Sequence, residues 1–211
     1  EISPGNGYWT EILAPYAKAT GGTYVAGVAD LANPAISEGA KKGRADFEAK
    51  YADEAKYGKI TYANFGQTSA PLGAPGSADM VITARNIHNW MMAGWLDKAM
   101  ADFHAVLKPG GVLAVKEHRA DPRMEAESGR DGYVATKTVV AAAEKAGFKL
   151  AASSEVNANP KDTKDHPFGV WTLPPVRRTA PAGQPADPNF DRSKYDAIGE
   201  SDRMTLRFVK P

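Results

Sequence analysis

The sequence predicts an α/β fold: a doubly wound, mostly parallel, Rossmann-like sheet with an antiparallel C-terminal strand. Three observations carry that expectation. Short apolar or alternating runs recur between stretches of helical composition along residues 1–155, which is the pattern of strand–helix–strand units. The first unit opens on Glu1-Ile-Ser-Pro-Gly-Asn-Gly7, a close glycine pair between a strand end and a helix. The last two strand-like runs, 148–152 and 204–209, have no helical crossover between them, and parallel neighbours would need one.

Each element has its own reason. Residues 8–19 place Trp9, Ile12, Leu13 and Tyr16 on one helical face, with Pro15 as a local defect and Thr20-Gly21-Gly22 as the stop. Thr23 to Val28 reads as a short buried strand leading to Asp30. Residues 34–56 are rich in Ala, Lys and Glu and read as helix. Residues 59–65 alternate as a strand, 66–77 form a loop, and 79–84 form a compact apolar strand. Leu96, Met100, Phe103 and Leu107 have helical spacing, and Lys108-Pro-Gly-Gly111 reads as a sharp stop before the strand Val112–Val115. Tyr133 to Lys145 reads as a helix capped by Gly147. Residues 157–201 hold seven of the fifteen prolines and read as an extended loop or flap within a single domain spanning 1–211.

Composition removes several classes. Basic and acidic side chains number 26 and 25, for a formal charge of +1, so nothing suggests a nucleic-acid groove. No apolar run approaches a membrane span. Cysteine is absent, which removes disulfides, thiolate metal sites and cysteine nucleophiles. No histidine–carboxylate spacing resembles a metal site, and neither a serine nucleophile elbow nor a phosphate-binding P-loop occurs.

The Gly5-Asn6-Gly7 turn is open to two readings. A glycine pair at a helix start lets a ligand approach the backbone and points free N–H groups at it. It is also a common tight connection. The dinucleotide fingerprint wants a third small residue three positions on, where Thr10 stands. Asp30, at the end of the next strand, can accept hydrogen bonds from both ribose hydroxyls, or is a solvated strand-end acid.

These residues resemble the first motif of class I S-adenosylmethionine (SAM)-dependent methyltransferases, an acid followed by spaced glycines. Leu107-Lys-Pro-Gly-Gly-Val-Leu113 resembles that family's segment before its fifth strand, and Ala78-Asp-Met-Val-Ile-Thr-Ala84 is similar to its fourth. The nearest likeness is a group of predicted bacterial methyltransferases, some of which look exported. That group shares an SPGxGxxTEILAPY start, an R-N-x-H turn and an EHRA segment.

The resemblance implies a transferase with SAM as cofactor. Glu1 would act on the ligand indirectly or through its amino group. Ser3, Pro4, Gly5, Asn6 and Gly7 would form the turn, the last three lining the methionine and ribose portion. Asp30 would hold the ribose hydroxyls, Phe65, Gly66 and Gln67 would border the adenine, and Arg85 and Asn86 would face the methyl group. Ser3 stands where the family most often has glycine. Asn64-Phe-Gly-Gln67 lacks the usual adenine-reading acid, whose place the Gln67 carbonyl can take. The family's first strand is central, and the sequence opens at its last residues, so residues upstream of Glu1 are expected.

Methyl transfer to a hydroxyl or amine requires alignment and removal of a proton. Open parallel sheets bind ligands beyond the strands' carboxyl ends, where Arg85-Asn-Ile-His88-Asn-Trp90 and Glu117-His118-Arg119 fall. His88 is a candidate base because imidazoles titrate near neutrality; alternatively it caps the next helix. Trp90 and Trp95 are candidates to wall an apolar acceptor site. His118 is a second candidate base, and Arg119 either binds an acidic acceptor or pairs with Glu117. The bland reading of this trio is a surface ion-pair cluster. Tyr133 either donates into the site or packs. His166, with Phe168 and Trp171, lies in a segment that either closes over substrate or forms a tail.

The expectation is therefore SAM-dependent methyl transfer to a small-molecule acceptor, with no nucleic-acid or membrane partner. Two alternatives stand beside it: a nicotinamide-dependent oxidoreductase, and a non-catalytic ligand-binding protein on the same fold. Acceptor, compartment and oligomeric state are not legible.

Overall fold

A computed structural model describes residues 1–121 and 129–211. Its sheet has two parts. β1 (Val25–Ala29) pairs in parallel with β2 (Thr61–Phe65). The other part runs β3 (Ala78–Ala84), β4 (Leu107–His118), β6 (Arg203–Val209), β5 (Lys149–Ser154), in that spatial order. Glu1–Ser3 joins the parts. Ile2 bridges Gly27 of β1 and Thr83 of β3, both in parallel. Its N–H bonds Ile82 O at 2.9 Å, while Ser3 N–H bonds Gly27 O at 2.8 Å. β3 and β4 are parallel, and β6 lies antiparallel between β4 and β5. The expected antiparallel C-terminal strand is thus an interior one.

Helices cover both sides. α1 (Thr10–Ala19), α2 (Glu38–Lys50) and the short α3 (Glu54–Tyr57) pack Ala14, Phe47, Tyr51 and Tyr57 with Tyr24, Ala26 and Val28. α4 (Ile87–Met92), α5 (Leu96–Val106) and α6 (Thr136–Lys145) pack on the other side, where Ile87, Trp90, Met100, Phe103 and Val139 meet Leu113, Val115, Leu206 and Phe208. Burying each such side chain contributes roughly 1.5–3 kcal/mol before entropy.

Several sequence expectations need correction. Tyr16 and Ile12 are 66% and 49% exposed, so α1 does not bury the large apolar face. It buries Thr10 and Ala14, with Leu13 and Ala17 beside them; small residues let the helix approach the sheet closely. The helical stretch 34–56 breaks after Lys50, and Asp53 caps the restart by accepting from Ala55 N at 2.9 Å. Lys108–Gly111 is not a stop before the strand but part of it, because Gly110 N–H bonds Lys210 O at 2.8 Å. Tyr133 does not begin a helix. Val134 bridges Arg119 in extended backbone, and α6 starts at Thr136.

Residues 157–201 contain a 3-10 turn (Gly169–Thr172) and α7 (Ser193–Ile198). The segment is anchored at Asp162, which is 6% exposed. Asp162 accepts from Tyr133 Oη at 3.0 Å, from Asp202 N at 2.7 Å and from Lys164 N at 3.0 Å, and pairs with His166 Nε2 at 2.8 Å. Among the described residues no helix is long and apolar enough to cross a membrane.

Candidate functional site

The carboxyl ends of the parallel strands form one rim, with the glycine turn at its centre. Ser3, Gly5 and Gly7 all have positive φ, +51°, +57° and +84°. The turn therefore keeps the left-handed backbone a glycine-rich loop needs, although Ser3 holds it without being glycine. The two glycines serve different purposes. A Cβ on Gly7 would overlap the Tyr51 phenol, whose Oη donates to Gly7 O at 3.0 Å. A Cβ on Gly5 would meet nothing within 4 Å. Gly7 thus admits a buttress from Tyr51, the residue that ends α2, and Gly5 faces open space among the described residues.

The N–H groups of Gly5 and Asn6 donate to no group among the described residues. Lys50 Nζ holds Asn6 O from behind at 2.9 Å. Glu1 sits under the turn, its Oε2 accepting from Thr10 Oγ1 at 3.0 Å and bonded to Tyr24 Oη. Pro4 closes the turn by accepting from Gly7 N at 2.9 Å.

Asp30 follows β1 and is 7% exposed. One of its oxygens accepts from Ala32 N at 2.9 Å. It lies against Gly66, where an added Cβ would meet the Asp30 Cβ at 3.5 Å. Gly66 is half-buried and Gln67 exposed. The Phe65 side chain does not reach the rim: it packs in the core, stacked on Phe103 at 5.6 Å and against Trp90 and Trp95. Trp90 and Trp95 accordingly wall no acceptor site. Alternation along β2 turns Phe65 inward, and α4 and α5 bring both tryptophans onto it.

Asn86 also departs from expectation. Its Nδ2 donates to Ala84 O at 3.0 Å and Ser3 O at 3.2 Å. That amide ties the glycine turn to the end of β3. Arg85, exposed and at φ +61°, makes the reversal between β3 and α4.

His88 and Glu117 meet across 29 residues of sequence. Glu117 is fully buried. Its Oε2 accepts from Ile87 N at 2.6 Å, and its Oε1 accepts from His118 N at 2.8 Å and meets His88 Nδ1 at 3.1 Å. A carboxylate already accepting two backbone N–H bonds has only acceptor capacity to offer the ring. His88 Nδ1 therefore carries the proton it shares with Glu117, which leaves Nε2 as the ring nitrogen directed away from that carboxylate. His88 is 3% exposed, and Trp171 stands edge-on to its ring at 5.8 Å.

His118 lies 5.7 Å from His88, ring to ring, and its Nδ1 is 2.5 Å from Ser201 Oγ. Burial, and then the charges of Arg203, His88, Arg85 and Lys116, hold it well below the usual imidazole range. It is neutral near pH 7. Tyr133 is not a donor into the site, because its hydroxyl is engaged by Asp162; burial, then the Asp162 charge, pushes that phenol up. Arg119 does not pair with Glu117: it binds Asp202 at 2.8 Å and Glu155 at 2.8 Å. Among the described residues no cluster of three His, Asp or Glu side chains suits a metal ion.

Glu117 as the partner of His88 is the contact the sequence does not announce, and Trp171, legible only as part of the 157–201 segment, stands beside that pair. The run Glu117-His118-Arg119 was a local signal. The pairing itself has none, since β4 delivers it from a distant segment.

No family model matches the chain, and no curated protein matches it. Solved structures do share the fold. A SAM-dependent methyltransferase from Methanosarcina mazei superposes with a TM-score of 0.58 at 14% identity, over 99% of this chain and 90% of its own. A SAM-dependent methyltransferase from Mesorhizobium loti gives 0.54 at 14% identity, over 99% and 88%. The [4+2]-cyclase SpnF gives 0.59 at 14% identity, over 100% and 73%. The chain has the fold of these structures, the two SAM-dependent methyltransferases among them.

Proposed function

We propose that this chain binds SAM across the glycine turn and transfers its methyl group to a small-molecule acceptor, using His88 as the base. One observation carries the reading: the His88–Glu117 pair stands on the same rim as a turn whose N–H groups are free. The turn fits the cofactor, since Gly5 leaves room for a close approach and the Gly5 and Asn6 amides are available donors. Asp30 would hold the ribose hydroxyls, and the Gly66–Gln67 backbone would border the adenine. Glu1 and Asn86 act indirectly, by holding the turn in shape.

Bound SAM supplies an electrophilic methyl group on a sulfonium. The protein aligns the acceptor beyond Arg85 and excludes water, with Trp171 as one wall. His88 Nε2 takes the acceptor's proton as the new bond forms, while Glu117 holds the ring and stabilises the imidazolium. Residues 157–201 belong to the same domain and bring Trp171 to the site.

Titration calorimetry with SAM and with NAD tests the binding half: SAM binds and NAD does not. Failure to bind SAM overturns the reading, and NAD binding in its place favours an oxidoreductase. For the chemistry, His88→Ala lowers turnover by about 10²–10⁴-fold while SAM affinity stays within about twofold, as a residue outside the cradle requires. Unchanged turnover makes His88 structural.

A further inference from the structure

The rim beyond His88 is unevenly charged. Lys116 and His118 are two residues apart on β4 and share one face of the sheet. Arg203 stands opposite His118 in the antiparallel register. Arg85 follows β3, and its N–H bonds Lys116 O at 2.7 Å. Three permanent cations therefore converge beside one neutral histidine. Glu117 pulls on Arg85 alone and forms no ion pair with the cluster, because it points to the opposite face and its oxygens are taken by Ile87, His88 and His118. Neither Arg85 nor Lys116 makes an ion pair among the described residues; Lys116 lies over the Trp9 ring at 5.6 Å.

Arg203 is the informative member. It is 4% exposed. Its Nε donates to Ser201 Oγ at 3.1 Å and its Nη1 to Glu200 Oε2 at 2.5 Å. Its Nη2 is buried with no hydrogen-bond partner among the described residues, which is uncommon unless something else completes the site. Glu200, the acid that meets this cluster, has a side chain 61% exposed and enters from the loop before β6. Burial, and then the Arg203 charge, lower both Arg85 and Lys116 from their ordinary values, with Glu200 opposing, as expected of cations that are partly desolvated beside a third.

We infer that this cluster seats an oxyanion, and that the acceptor methylated at His88 carries a carboxylate or phosphate group. The inference rests on the methyl-transfer reading above. The anionic group takes the place of Glu200 on Arg203 and is flanked by Lys116 and Arg85. That seat turns the acceptor's nucleophilic atom toward His88 Nε2. The nucleophile bonds to the methyl carbon, the carbon–sulfur bond breaks with its electron pair going to sulfur, and the proton goes to His88.

The rival occupant of the same cations is the carboxylate of the cofactor itself, and one experiment separates the two. Benzoate and inorganic phosphate are titrated calorimetrically into the protein, free and saturated with S-adenosylhomocysteine, for wild type, Arg85→Gln, Lys116→Gln and Glu200→Gln. The expected result is that one of the anions binds the S-adenosylhomocysteine complex. Arg85→Gln and Lys116→Gln each weaken that binding by about tenfold, the loss of one charge-assisted contact, and leave S-adenosylhomocysteine affinity unchanged. Glu200→Gln tightens the anion. Absence of anion binding, or insensitivity to Arg85→Gln and Lys116→Gln, overturns the inference. So does weakening of S-adenosylhomocysteine in place of the anion, which assigns the cations to the cofactor. If S-adenosylhomocysteine does not bind at all, the methyl-transfer reading fails separately, and the titrations of free protein still decide the anion seat.

Discussion

The two halves of the rim are built in opposite ways. The half over β1 and β2 is made of backbone: seven consecutive residues, three of them at positive φ, with free N–H groups at Gly5 and Asn6. The half over β3 and β4 is made of side chains drawn from residues 85–88, 116–118, 171 and 200–203, most of them buried. The first half is a local conformation and needs only small residues. The second is a network in which each group holds another, so removing one strands its neighbours. A cradle of the first kind suits a ligand bound by shape, and one of the second kind suits proton movement.

Substitutions can break or sharpen this contrast. The largest effect is expected at Glu117. Glu117→Ala strands the Ile87 and His118 amides and His88 Nδ1, and should lower stability by about 3–5 kcal/mol in urea unfolding. A loss near 1 kcal/mol would show that the network is not held through this carboxylate. Next comes Gly7→Ala, which forces the Tyr51 ring aside at a left-handed φ and should cost about 3 kcal/mol. Gly5→Ala, with open space around it, should cost only about 1 kcal/mol yet weaken SAM binding clearly. Equal stability losses for the two glycine variants would end the distinction between buttress and cradle.

Acid sharpens the contrast differently. Burial pushes the Asp202 carboxyl up, but hydrogen bonds from Arg119, Lys164 and the Asn159 N–H outweigh it and hold it at about 2, against an ordinary 3.8. A carboxyl lowered on folding stabilises the protein above its unfolded value and loses that contribution as pH falls toward the folded one. About 2 kcal/mol should therefore disappear between roughly pH 4 and pH 2, and Asp202→Asn should flatten this part of the curve. The last test is His118. Its folded value is depressed, so stability should begin to fall as pH drops below the ordinary imidazole value of 6.5. His118→Gln should remove that slope.

The difference between the halves also explains what the sequence disclosed. The turn at Gly5 and Gly7 and the strand end before Asp30 were legible because such features announce themselves through neighbours. That strands alternate with helices followed from the recurrence of short apolar runs, whereas their spatial order, with β6 between β4 and β5, did not. The partner of His88 was not legible, because a contact between positions 88 and 117 depends on how β4 meets α4. Phe65, Trp90 and Trp95 misled for a related reason: an aromatic near a rim is drawn toward whichever side offers more apolar surface, and here that is the interior. Tyr133 and Asn86 kept their places but turned their polar groups to the scaffold.

The interior position of β6 has a consequence for synthesis. Ser201 and Arg203 enter β6 between two strands that were translated before it, and β5 touches the sheet through β6 alone. A ribosome-bound chain halted before residue 200 would hold the glycine turn with β1 to β4 already paired, while His118 and Glu117 waited beside an open seam. Such an intermediate should depend on chaperones until the seam is filled.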